Sequence, residues 1–425
     1  MRRRCAIRLA WAMALAGCYS PDLTDGLPCS PERNCPEGQT CAADGLCYRD
    51  PPIIADAATA DARADRLIDP AVRVTDTTGR SDAPSLVWTG SEYGLAWVDD
   101  RGGNDEIFFA RVAADGALLG EPERVTDSPG EGRDPSLVWT GEAYAVAWVD
   151  DQEGNFEVYL ALLSADGALT AGPLRVTDDP EFSGSPSLVW TGSELAVAWN
   201  DGRDGNFEIY LARLEPDGSK IGGDLRLTND AMFSATPSLA WTGDELALAW
   251  SDDRDGNNEI YYARVEPDGT VVGGDVRVTD QAAYSSSPEI AIAGGVRALA
   301  WLDLRDPDRE LYFARLAAGG ANQTGDVRLS DLAAASGNAT SVAAAWTGDE
   351  LGVAYATDGA TSADSNVLLT RRDLEGAAIA ADAPVADGPE SSLDVDIVST
   401  GLIYAVVWAD DRDGNLEIYL REVAP

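Results

Sequence analysis

The sequence predicts an all-β fold: a seven-bladed β-propeller of four-stranded blades whose N-terminal strand closes the last blade, preceded by a small N-terminal Cys-rich module. Three observations predict it. A unit built on the stretch Leu95 to Phe108 recurs, and its second Trp falls at Trp97, Trp148, Trp199, Trp250 and Trp301, a constant step of 51 residues. Tyr355 and Trp408 take the same place after small insertions. A fixed period of this size marks blades or a stacked array. Within each unit one strand alternates large and small residues: Tyr93, Leu95, Trp97 against Gly94, Ala96, then Tyr144, Val146, Trp148 against Ala145, Ala147. A bulky flank opposite a shallow flank suits twisted sheets packed radially, each on the next. Finally, first strands open near Pro84, Pro135, Pro186, Pro237, Pro288, Ser341 and Leu393, which makes seven, whereas fourth strands end at Thr126, Thr177, Thr228, Thr279, Ser330 and near Ala386, which makes six. The chain stops after the third strand of the last unit, so Val72-Arg73-Val74-Thr75 is expected to supply the missing strand and remove the open edge.

Taken in order, residues 1–17 read as a secretory leader: Arg2-Arg3-Arg4, then the apolar Leu9 to Gly17, too short to span as a permanent helix. Its end, Leu15-Ala16-Gly17-Cys18, resembles the bacterial lipobox, which implies cleavage before Cys18 and a lipid on its sulfur. Tyr19, rather than Asp, follows, which by the lipoprotein sorting pattern implies the outer membrane or cell surface. Residues 18–48 hold Cys29, Cys35, Cys41 and Cys47, evenly spaced with Pro and Gly between them. In an exported chain these read as two disulfides with three pairings open; a four-thiolate zinc site competes, without its usual close pairs. The segment is too short to bury a core and resembles the small Cys-rich modules that follow the lipobox in some lipoproteins. Residues 49–70, Pro51-Pro52 and then alternating Ala and Asp, read as a flexible acidic linker ahead of the propeller at 71–425.

In the first unit Pro84–Trp88 is a strand ended by Thr89-Gly90, Tyr93–Val98 a second and Glu106–Val112 a third. A turn at Asp115-Gly116 leads to a fourth that finishes at Arg124-Val125-Thr126. No unit has a sustained helical period. The Trp pairs recur inside strands and are therefore expected as inter-blade core rather than sugar platforms.

The patterns Pro-Ser-Leu-Val-Trp and Ala-Trp-x-Asp-x-Arg-x-Gly-Asn-x-Glu-Ile-Tyr, together with Asp-Gly turns, resemble those of bacterial sialidase-type propellers with Asp-box repeats, over residues 72–423. The Asp-box is degenerate: Asp166-Gly167, Asp217-Gly218 and Asp268-Gly269 keep the turn without its Trp. The resemblance implies a propeller and, for activity, an arginine cluster, a Tyr–Glu pair and an acid Asp. Here Arg101, Arg203, Arg254, Arg305 and Arg412 occupy one repeating position. A catalytic centre draws different residues from different blades and breaks the repeat, so the regular placement favours a scaffold over a glycoside hydrolase.

The formal charge is -42, with 73 acidic residues against 31 basic and no His. The field repels nucleic acid and keeps an exported protein soluble. Without His there is no His general base and no His-ligated zinc. Loops between second and third strands share a face with the blade-to-blade connections, which gathers Asp99, Asp100, Arg101, Asp150, Asp151, Asp201, Arg203, Asp252, Asp253, Arg254, Asp303, Arg305, Asp410, Asp411 and Arg412 into an acidic ring, the default binding surface for a protein or glycan. Asp252, Asp253, Asp255, Asn257 and Glu259 offer hard oxygens suited to calcium; turn chemistry, with Arg254 pairing a nearby Asp, accounts for the same residues. No other cofactor is implied. Membrane contact is expected through the lipid alone, and a monomer is expected. Units five and six break the repeat, at Ile292, Arg305–Arg309 and the insertions 333–340 and 358–366; drift of the repeat accounts for this, and a partner-docking sector is the sharper alternative.

Overall fold

The computed structural model describes residues 27–28, 40–41, 46–48, 67–306, 308–332, 337–358, 366–386 and 392–424. The chain divides into two units, Met1–Asp61 and Ala62–Pro425. In the first, Leu27–Pro28, Thr40–Cys41 and Leu46–Tyr48 form a three-stranded antiparallel sheet with the last strand in the middle, Cys41 opposite Cys47 in register. Cys18, Cys29 and Cys35 lie outside the described residues, as does the leader.

The second unit is seven four-stranded antiparallel sheets, with no helix among the described residues. Blade 1 is Ser81–Trp88, Glu92–Asp99, Glu106–Ala113 and Glu123–Arg124. Blade 7 is Ser392–Ser399, Tyr404–Asp410, Glu417–Val423 and, from the other end of the domain, Val72–Arg73. Tyr419 pairs with Arg73 and Leu420 with Val72. The seam continues past the ladder: Val74 N donates to Ile418 O at 2.7 Å, and Ile418 N donates to Thr75 Oγ1 at 2.8 Å. The ring therefore closes as the repeat arithmetic requires. Ordered structure starts ahead of residue 71, because Ile68 is buried in the blade 7–blade 1 core and exchanges hydrogen bonds with Glu422.

Bulky flanks do fill shallow ones. Tyr144, Val146 and Trp148 of blade 2 pack on Ala96, Val98 and Phe109 of blade 1; Tyr93, Leu95 and Trp97 pack on Ala405, Val407 and Ala409 across the closure. A Cβ on Gly94 would overlap the Tyr144 ring, and one on Gly352 the Tyr404 ring, so both positions need a bare backbone for close approach.

One feature departs from the expected strand bounds. Innermost strands begin three residues before the proline, at Ser81, Gly132, Ser183, Ser234 and Ser285. Each carries a bulge whose residue (Ala83, Asp134, Ser185, Thr236, Ser287) has φ near +50°, and Asp394 repeats it in blade 7. The bulge lets a strand absorb a proline that has no N–H to give. It also turns the following Ser or its replacement toward the propeller axis.

Candidate functional site

The acidic ring is a set of clasps. Asp252 is fully buried and accepts from Trp250 Nε1 at 2.8 Å, Ser234 Oγ at 2.9 Å, Arg254 N at 3.0 Å and Arg254 Nε at 2.7 Å, with Arg254 Nη2 at 2.5 Å. The guanidinium lies over the Tyr261 ring, 4.3 Å from its centroid. Asp99 with Arg101, Asp201 with Arg203, Asp303 with Arg305 and Asp410 with Arg412 repeat the arrangement, the last four guanidiniums over Phe108, Tyr210, Tyr312 and Tyr419. Burial alone would raise these five carboxyls. Hydrogen bonds from the arginine, the indole and a backbone N–H outweigh it and hold all five below the usual carboxylate range.

The second aspartates pin the connections: Asp100 accepts from Arg80 N at 2.6 Å, Asp151 from Glu131 N at 2.8 Å and Asp253 from Phe233 N at 2.6 Å. Asp411 heads the equivalent turn, where Gly414 N donates to its carbonyl at 2.8 Å. Blade 2 is the exception. Gly132 stands in place of the serine and Gln152 in place of the arginine; Trp148 Nε1 has no partner, and burial leaves Asp150 raised. Blade 6 carries no such clasp.

The five oxygen-bearing residues considered for calcium are occupied in the same way. Asp252 is clasped, and Asp255 accepts from the Tyr261 hydroxyl and pairs with Arg277 at 3.1 Å. Glu259 takes Arg277 Nη2 at 2.8 Å and the Thr279 hydroxyl. Asn257 turns its amide toward Glu259, Gln281 O and Ala283 O, so the side chain acts as a donor here. Among the described residues no group of three or more His, Cys, Asp or Glu is placed to hold a metal ion.

Three further features lie outside the acidic ring. The first is an aromatic ladder along the loop face of blades 2 to 4. Phe156, Phe182, Phe207 and Phe233 follow one another with centroids 5.7, 5.6 and 5.8 Å apart, edge to face or tilted. Phe182 is 39 % exposed and Phe233 51 %, with Met232 at 42 % beside them and Tyr284 at 54 % in the next connection. A cavity of about 340 Å³ opens along the ladder, lined also by Glu181, Arg203 and Asn206. Phe156 and Phe207 sit where blade 1 has Asp105, and Phe182 and Phe233 where it has Glu131. The signal in the sequence is four Phe at two repeating loop positions, set among the more numerous carboxylates.

The second is on the axis. A cavity of about 270 Å³ is lined by the Pro-Ser pair of each of the first four blades, Pro84-Ser85 to Pro237-Ser238, with Glu289, Ala343 and Asp396 in the later ones. The serines stitch blade to blade: Leu137 N donates to Ser85 Oγ at 3.1 Å, Leu188 N to Ser136 Oγ at 3.0 Å, Leu239 N to Ser187 Oγ at 3.0 Å and Ile290 N to Ser238 Oγ at 3.1 Å. Asp396 does the same for Leu86 N at 2.8 Å, and its other oxygen takes Ile397 N at 2.7 Å, which faces Ala343 instead of a serine. Burial pushes Asp396 up to about 6 and Glu289 up to about 8.

The third lies at the opposite end of the axis, where Trp139, Trp190 and Trp241 with Val138 and Val189 line a cavity of about 370 Å³. The expectation for the Trp pairs therefore holds for the second Trp, fully buried at Trp97, Trp148, Trp199, Trp250, Trp301 and Trp408. The first Trp, at Trp88, Trp139, Trp190, Trp241 and Trp346, is only half-buried, because it ends its strand at the rim of the sheet. Of the sector considered in units five and six, Pro307, 333–336 and 359–365 lie outside the described residues.

No family model matches this chain and no curated protein matches it. Among solved structures, it is similar to a prolyl endopeptidase at 14% identity, with a TM-score of 0.50 over 84% of this chain and 48% of that one. A Mycobacterium tuberculosis puromycin-hydrolyzing peptidase matches at 16% identity and TM-score 0.49, over 84% of this chain and 54% of that one. A Trypanosoma rangeli sialidase matches at 12% identity and TM-score 0.45, over 73% of this chain and 57% of that one. The chain thus spans about half the length of each. The likeness is one of fold.

Proposed function

We propose that this chain is an exported, lipid-anchored, non-catalytic propeller that binds a protein partner through the aromatic ladder of its loop face. The observation that carries the reading is the contrast on that face. The repeated acids and arginines are spent on one another, whereas Phe182 and Phe233 stand in water at an open cavity, with Met232 and Tyr284 exposed on the same connections. Exposed large apolar groups gathered on one face mark an interaction surface. A protein partner suits the ladder better than a glycan, since rings set edge to face offer no run of flat faces for sugar stacking. The surrounding negative charge favours a basic partner.

The arginines of the sialidase-like pattern support the same reading. Each is held in a bidentate pair with an aspartate two residues earlier and is not free to take a substrate carboxylate. The test is affinity capture from a cell-surface extract by the full chain and by Phe182→Ser/Phe233→Ser, alongside a fluorogenic glycoside panel. Loss of a captured protein in the double variant is expected. Undiminished capture removes the ladder from the account, and glycoside turnover lost in Arg305→Ala replaces the scaffold with a hydrolase. For the anchor, Cys18→Ala is expected to lose metabolic labelling by palmitate; labelling that persists sinks it.

A further inference from the structure

The geometry points to a second binding site, in the axial cavity, for a primary alkylammonium group held by Glu289, with Asp396 and the serine ring completing its hydrogen bonds. The cavity is distinct from the ladder, and the inference does not depend on the proposed function.

The argument starts from what the repeat does at this level. Four blades place Ser on the axis, where its oxygen accepts one cross-blade N–H. Asp396 is explained by the same duty, since it takes two backbone N–H groups. Glu289 is not. It occupies the serine position of blade 5, yet its hydrogen bond is the one it accepts from Ser238 Oγ at 3.3 Å. Among the described residues it makes no ion pair with Lys or Arg and, unlike Asp396, takes no backbone N–H. The side chain is half-buried, its open side facing the cavity. A carboxylate drawn out of bulk water without a cation either keeps its proton or waits for one. Burial, and then the nearby Asp396, push Glu289 up to about 8, as expected of a site that is short of positive charge.

The chemistry of the wall selects the cation. Calcium requires six or more oxygens, whereas Asp396 already gives both of its oxygens to backbone N–H groups and each of the four serine oxygens accepts one, which leaves Glu289 as the one carboxylate of this wall without a backbone donor. At about 270 Å³ the space also exceeds a bare ion and takes a short side chain. Its wall is mostly polar, serine oxygen and carboxylate fit for three N–H donors, with a collar of prolines beside them that leaves a narrow apolar contact. An ammonium on a short alkyl stem suits both. On the loop side of the collar stand Asp82, Asp134 and Asp394, mutually close enough that the Asp394 charge, added to burial, raises the other two. Arg80 pairs with Asp82 at 3.0 Å and Arg133 with Glu131, so the entrance keeps a negative surplus that draws a cation in.

The test titrates the full chain calorimetrically with n-butylammonium chloride, with n-butanol and sodium chloride as controls, and repeats it on Glu289→Ser. Serine is the residue blades 1 to 4 use here, so the ring is retained, which a melting curve verifies. Saturable binding of the amine but not of the alcohol is expected, weakened about tenfold or more in Glu289→Ser. Parallel binding of Nα-acetyl-lysine methylamide would identify the source as a partner's lysine; binding of n-butylammonium alone would identify a free amine. No saturable heat with either amine, or equal affinity in Glu289→Ser, overturns the site.

Discussion

Replacing Gln152 by Arg should stabilise the protein, because blade 2 is the one blade where the clasp is laid out but unfinished. Its carboxylate is present and buried at Asp150, its ring is present at Tyr159, and Trp148 Nε1 is left without an acceptor. In blades 3, 4 and 5 the arginine supplies two side-chain bonds of 2.5–2.8 Å to the aspartate and lies 4.2–4.5 Å from the ring centroid. Charge-assisted bonds of this kind are worth about 1.5–3 kcal/mol and the ring contact about 0.5–1 kcal/mol. Against them stand roughly 1.5–2 kcal/mol of side-chain entropy and solvent screening of a guanidinium that stays about one-fifth exposed in blades 3 to 5.

The net gain is about 1–2 kcal/mol, or about 1–3 °C in melting midpoint for a ring of this size. The assay is thermal unfolding followed by circular dichroism, with Arg254→Gln as the mirror experiment, expected to lose at least as much because it strands Asp252. The Ser128 hydroxyl, 2.9 Å from Asp150, must yield to the new arginine, and Gly132→Ser added to Gln152→Arg should restore the serine of the complete clasp. A midpoint for Gln152→Arg at or below the natural one, with Arg254→Gln equally without effect, would refute the reasoning.

Glu289→Gln should change the pH profile of stability. A carboxyl raised from 4.5 to about 8 binds a proton in the folded state that the unfolded chain has released, so its contribution is fully present below about pH 4.5 and lost as pH rises toward 8. The variant stays neutral and should gain on the natural protein between pH 5 and 8, by on the order of 2 kcal/mol, read from denaturant midpoints; parallel profiles would contradict it. Gly352→Val should cost about 1–3 kcal/mol and lower the melting midpoint, since the added side chain overlaps the Tyr404 ring that packs against blade 6; a midpoint within a degree of the natural one would show that the flank is not tight.

The repeat carried the fold because its information is local and periodic. Tyr93, Leu95 and Trp97 against Gly94 and Ala96 specify which side of a sheet is bulky, and counting strands specifies how the ring must close. That arithmetic needs no coordinates, and the pairing of Leu420 with Val72 satisfies it. Bulges were not legible, since a proline in an innermost strand reads as a strand start until the neighbouring blades show that the backbone continues past it.

The site was legible only as a face. Asp252 and Arg254 look like surface chemistry in a string of letters, and only packing reveals that the carboxylate sits beneath the loop, bound to the indole of its own strand. The sequence by itself determined the period, the blade count and the end at which the acids gather, because each follows from alternation and spacing along one strand. The tertiary structure alone decided which charges are spent and which groups remain available. Phe156, Phe182, Phe207 and Phe233 come from different blades and connections, and Glu289 and Asp396 lie 107 positions apart, so their meeting depends on the curvature of the closed ring.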